Sequence, residues 1–171
     1  MKSSRILRLL AVIALIVSLA TPCLAETLGA SAIIATKPAL GLGILACLAS
    51  SDDPDVAMKR AIKAADATII SIGIAHLVKA TVDIGFNSKH DHSFPSGHTA
   101  AAFAMATSLS DVHPKQKWYY YAGAAIIGWG SHEVGGHDLE DVIGGAALGI
   151  AVGKLSIKSE NGLLIGKVFK F

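Results

Sequence analysis

Gly145, Gly149 and Gly153 recur every fourth residue inside the apolar segment that runs from Leu139 to Leu155. On a helix this interval stacks all three on one face. A face without side chains lets a second helix approach until the two backbones nearly touch. The matching surface is offered by Ala100, Ala101, Ala102, Ala104 and Ala106, so two helices are expected to cross closely there. No segment alternates apolar and polar residues as a half-buried strand would, and no repeat is visible. The expected fold is all-α, a compact helical bundle.

The remaining elements follow from periodicity and punctuation. Leu28 to Ser51 reads as two short helical pieces broken at Lys37-Pro38. Ser51-Asp52-Asp53-Pro54 caps a helix from Asp55 to about Thr81, with Val56, Ile62, Ile69, Ile72 and Leu77 at helical spacing. Gly85, Asn87, Ser88, Pro95 and Gly97 mark residues 82–97 as a loop. A helix then starts near His98 and stops at Asp111-Val112-His113-Pro114, and another covers Trp118 to Gly130. A polar island, SHEVGGHDLED, precedes the last helix, and the tail from Lys158 carries no clear pattern.

The first 25 residues have a basic start (Lys2, Arg5, Arg8), an apolar run from Leu9 to Leu19, and Cys23-Leu24-Ala25 before Glu26. This is the pattern of a signal peptide cleaved after Ala25, which leaves residues 26–171 as one exported domain. An uncleaved anchor is the alternative, because the uncharged run nearly reaches spanning length. Cys47 then remains as a lone thiol in an apolar run, suited to burial and unable to build a disulfide framework or a cysteine zinc site. A formal charge of +2, with no clustered basic residues after the N-terminus, excludes a nucleic-acid footprint. Beyond the signal, most uncharged runs fall short of the roughly 20 residues needed to span a bilayer. The exception, Ser93 to Ser110, contains polar residues and reads as a buried core helix. A compact periplasmic domain leaning on the membrane surface fits better than several spans.

Chemistry is concentrated in three places. In the stretch HSFPSGHTAAAFAMA, Pro95 stiffens a turn, Gly97 leaves room for a ligand, and the helix that follows opens with unpaired N–H groups that attract anions. Ser96, the Gly97 N–H and His98 are therefore candidate donors to a phosphate-like group, with plain helix capping by Ser96 as the structural alternative. His137 and Asp141 lie four apart, a spacing that on a helix sets a carboxylate beside an imidazole. One ring nitrogen would then be held and the other free to attack, unless the two form only a surface pair. Lys79 is the third element, a candidate oxyanion ligand.

Taken together, Lys79, PSGH at 95–98 and His137-x3-Asp141 resemble the type 2 phosphatidic acid phosphatase family, which shares its fold and anion site with vanadium haloperoxidases. The family pattern is K-x6-R-P, then PSGH, then S-R-x5-H-x3-D. Here Phe86-Asn87 stands for Arg-Pro and Gly130-Ser131 for Ser-Arg, so both arginines are missing, with Lys89, His90, His92 and His132 as nearby substitutes. The resemblance implies a phosphatase needing no metal or cofactor. His137, oriented by Asp141, would attack phosphorus, His98 would protonate the leaving group, and Lys79, Ser96 and Gly97 would hold the oxygens. The implied substrate is a lipid, isoprenoid or small organic phosphate. Competing readings are a degenerate member that binds without cleaving, a vanadate-dependent peroxidase, and a zinc site built from His90, His92, His132 and His137. Glu133 reads as a solvated carboxylate, and the aromatics Trp118 to Tyr121 and Trp129 as core or membrane-interface residues.

Overall fold

The computed structural model describes residues 28–81, 93–133 and 136–164. The expected signal peptide lies outside these residues, as do Phe86, Asn87, Lys89, His90 and His92. Six helices make up the described chain: α1 (Leu28–Ile34), α2 (Thr36–Leu48), α3 (Pro54–Thr81), α4 (Gly97–Val112), α5 (Lys117–Glu133) and α6 (Leu139–Lys158). A single 3-10 turn, Pro114–Gln116, precedes α5, and no strand occurs among the described residues.

Helix α4 is the central post, packed by α2, α3, α5 and α6. Its residues from Thr99 to Leu109 are almost all buried, which its composition permits. Alanines cover three directions at once, and the hydroxyls of Thr107, Ser108 and Ser110 bond back to carbonyls one turn earlier, leaving no buried donor orphaned. The alanines divide among neighbours. Ala102 and Ala106 pack with Ala124 and Ile127 of α5, while Ala101 lines a cavity beside α2 and α3.

Ala100 and Ala104 meet the glycine ladder. A Cβ on Gly149 would run into the Ala100 carbonyl oxygen and come within 2.8 Å of the Ala104 nitrogen. One on Gly153 would lie 2.7 Å from Thr107 Cβ, and one on Gly145 would lie 2.5 Å from the Ser96 carbonyl oxygen. The ladder thus reaches the turn that opens α4. There the Ser96 N–H donates to the Asp141 carbonyl at 2.9 Å, tying the Pro95–His98 turn to the start of α6.

Three boundaries differ from the sequence reading. The break between the first two helices falls at Ala35, and Lys37-Pro38 sit inside the first turn of α2, where a proline costs no helical hydrogen bond. Helix α5 runs on through Ser131 and His132 to Glu133, into the segment read as a polar island. His137 is not on a helix with Asp141: Asp138 is the N-cap of α6 and Asp141 is its third residue, so the pair meets across a helix start.

The tail is held by a carboxylate. Asp66, almost fully buried on α3, accepts the N–H groups of Leu163 at 2.8 Å and Leu164 at 3.0 Å. Gly162 makes the turn with φ of +88°, and its bare Cα leaves room for the Asp66 carboxylate. Cys47 is buried and unpaired, its thiol pushed up to about 11 by desolvation, against a smaller opposing effect of Arg60, so it behaves as a small hydrophobe. Helix α3, with a mean hydropathy of 1.5 over its most apolar window, is the one described helix long and apolar enough to cross a membrane.

Candidate active site

A cavity of about 250 Å³ opens where α2, α3 and α4 converge with the loop before α6. Its walls carry Lys37 from α2, His76 and Lys79 from α3, Gly97 and His98 from α4, and His137. Thr36, Leu40, Ile72 and Ala101 complete the lining. Among the described residues no carboxylate lines it, so its described walls are cationic and suited to an anion. Four of the residues read from sequence, Lys79, Gly97, His98 and His137, are brought to one space from three separate segments.

Two others stand behind it. Ser96 is fully buried, and its Oγ accepts the Thr99 Oγ1 hydroxyl at 3.0 Å and the Thr99 N–H at 3.4 Å. Its side chain therefore caps α4, the structural alternative, and does not line the cavity. Gly97 faces open space: a Cβ there would meet no protein atom. Nothing in the packing requires glycine, and its bare surface keeps the cavity floor free beside the unpaired N–H groups of the first turn of α4.

Asp141, also buried, uses Oδ2 twice. It accepts the Asp138 N–H at 3.0 Å and lies 3.4 Å from His137 Nδ1. The second distance is long for a charge-assisted hydrogen bond, so Nδ1 has an ion-pair neighbour but no close acceptor. Catalytic contacts of this kind often tighten only when substrate binds. A carboxylate on that side favours the tautomer with the proton on Nδ1, which leaves the Nε2 lone pair free.

The electrostatics reinforce this. The pKa of His137 is lowered, first by burial and then by the Lys79 charge, with Asp141 opposing and His98 adding to the fall. His98, exposed on its cavity side, is also lowered by partial desolvation, by Lys79 and by Lys37. Lys79 is lowered by burial, with Asp141 holding it up. Both imidazoles are thus biased toward neutrality, and an entering anion relieves the mutual repulsion of the cations.

The family model for the PAP2 superfamily matches residues 11–163. The chain belongs to this superfamily. The match begins inside the stretch expected to be a signal peptide and takes in every site residue. A curated relative, a lipid A 1-phosphatase of Porphyromonas gingivalis, is 43% identical over 68 residues, covering 37% of this chain. The chain spans 15% of that relative's length. No solved structure matches.

Sequence reasoning missed Lys37, His76 and the other α2 and α3 wall residues. His76 had a signal, since it lies one turn before Lys79 and shares its face. Lys37 had none, because only the packing of α2 against α3 and α4 brings it to the cavity. Of the suggested replacements for the arginines, His132 is exposed, directs Nδ1 at the His137 carbonyl oxygen 3.0 Å away, and is absent from the cavity lining. Glu133 is exposed, as expected of a solvated carboxylate. Ser131, at the second arginine position, is fully buried, with its hydroxyl unpartnered.

Proposed function

We propose that this PAP2 protein is an exported phosphomonoesterase that cleaves phosphate esters through a phospho-histidine intermediate, using its own side chains and backbone N–H groups. The observation that carries the reading is the convergence of His137, His98 and Lys79 on one cationic cavity, with Asp141 behind the nucleophile.

The Nε2 lone pair of His137 attacks phosphorus. As the P–N bond forms, the P–O bond to the leaving group breaks, and the departing alkoxide takes a proton from His98. The positive charge gained by the imidazole faces the Asp141 carboxylate. Lys79 and the N–H groups at the start of α4 hold the phosphoryl oxygens, and Ser96 contributes by fixing that helix start. In the second step His98 removes a proton from water, the oxygen attacks phosphorus, the P–N bond breaks, and phosphate leaves with His137 neutral again.

A hydrocarbon-bearing substrate suits the surroundings. A second cavity of about 350 Å³, almost wholly apolar, is walled by α1, α2, α4 and α5, and Leu40 lines both spaces. Trp118, Tyr119, Ile126 and Trp129 are exposed along α5, an apolar surface compatible with residence against a membrane. Phosphate release from phosphatidates of increasing chain length and from a soluble chromogenic ester, with His137→Ala as control and EDTA present, tests the reading. A rate that rises with chain length, survives EDTA and vanishes in the control is expected. Equal rates in wild type and control would overturn it.

The buried, unpartnered Ser131 favours one alternative, a member that binds phosphate groups without turnover. It predicts vanadate binding with no phosphate release.

A further inference from the structure

We infer that Lys37 is a second cationic ligand of the phosphoryl oxygens, delivered by α2 to the cavity that Lys79 enters from α3. This rests on the phosphatase reading for its chemistry, but the anion site it describes can be tested without turnover.

A phosphomonoester arrives with nearly two negative charges, and three equatorial oxygens carry charge through the transition state. Lys79 alone cannot contact all of them. The described cavity holds one other side chain that is cationic at every working pH, and it is Lys37. Its backbone position is set by the chain around it, and its exposed side chain lines the cavity. Thr36 is buried at the first position of α2, Pro38 stiffens the same turn, and Leu40 packs into the cavity wall one turn on. Among the described residues Lys37 has no carboxylate partner. Lys37 also acts electrostatically on His98, as expected for a charge at the same opening. A lysine is a point charge on a flexible stem, so it can follow the phosphoryl group through in-line displacement without the fixed fork of an arginine. With neither motif arginine present, α2 becomes part of the catalytic pocket rather than packing alone.

The test uses the purified full chain, with Lys37→Met, Lys37→Arg and, as a control about 20 Å along α3 from the cavity, Lys59→Met. Orthovanadate affinity is measured by calorimetry, and kcat/KM with a chromogenic monoester and a phosphatidate. The expected result is a loss of about 10- to 100-fold in vanadate affinity and kcat/KM for Lys37→Met. Lys37→Arg should recover most of it, and Lys59→Met should behave as wild type. Wild-type affinity in Lys37→Met overturns the inference. A protein without turnover that still binds vanadate in a Lys37-dependent way upholds the site and overturns the phosphatase reading. Absence of both vanadate binding and turnover in wild type overturns both.

Discussion

Replacing Asp141 by Asn separates two jobs held by one oxygen. As a helix cap, Oδ2 receives the Asp138 N–H; as a catalytic group, it faces His137 Nδ1 at 3.4 Å. An amide oxygen keeps the first job and gives up the charge needed for the second. Unit charges at that separation attract by about 5 kcal/mol at an effective dielectric near 20. Solvent reaching an imidazole that is 13% exposed, and spreading of charge over ring and phosphoryl group, reduce this to about 3 kcal/mol. The expected fall in kcat is on the order of 10²-fold. The melting temperature should stay near wild type. Asp141→Ala, which also removes the cap, should cost about 1 kcal/mol more, or about 2–4 °C. NMR titration should show the His137 pKa lower still in Asp141→Asn, because the carboxylate is what holds it up. An Asn variant with kcat within about threefold of wild type would refute the role assigned to the pair.

Gly149→Ala should lower stability by about 1–3 kcal/mol, read by thermal melts, because its methyl meets the α4 backbone at Ala100 and Ala104. Gly41→Ala, where a Cβ meets nothing, should be neutral or slightly stabilising in the same assay. The pH profile of kcat/KM should be a bell centred on the acid side of neutrality. His137 must be neutral to attack, so activity is lost as pH falls through its lowered pKa. His98 must be protonated to act as acid, so activity is lost as pH rises through its own lowered value, below the usual 6.5. The alkaline limb of kcat should lie higher than that of kcat/KM, since a bound dianion favours the imidazolium.

The parts of this protein legible in its sequence are those specified by local spacing. Glycines four apart announce a close helix contact whatever the partner, and Gly145, Gly149 and Gly153 make one against α4. The Ser96–His98 turn was legible for the same reason, since a helix start is a local event. What stayed hidden depends on packing between distant segments. Pro38 read as a helix breaker because proline punctuates, but its position within the first turn is set by the preceding residues, and it joins rather than interrupts α2. Lys37 gives no sign of function until α2 is laid against α4. The four-residue interval between His137 and Asp141 fits contact along a helix and contact across a helix start alike, and the capping residue at 138 makes it the second.

The central claim is that His137 carries the phosphoryl group. It is tested most directly by mixing the protein with ³²P-labelled phosphatidate, quenching within milliseconds in alkali, and mapping the label by mass spectrometry. An acid-labile, alkali-stable phosphoramidate on His137 is expected, absent from His137→Ala and decaying as phosphate is released. Turnover with no label on His137, or label on another residue, would contradict it.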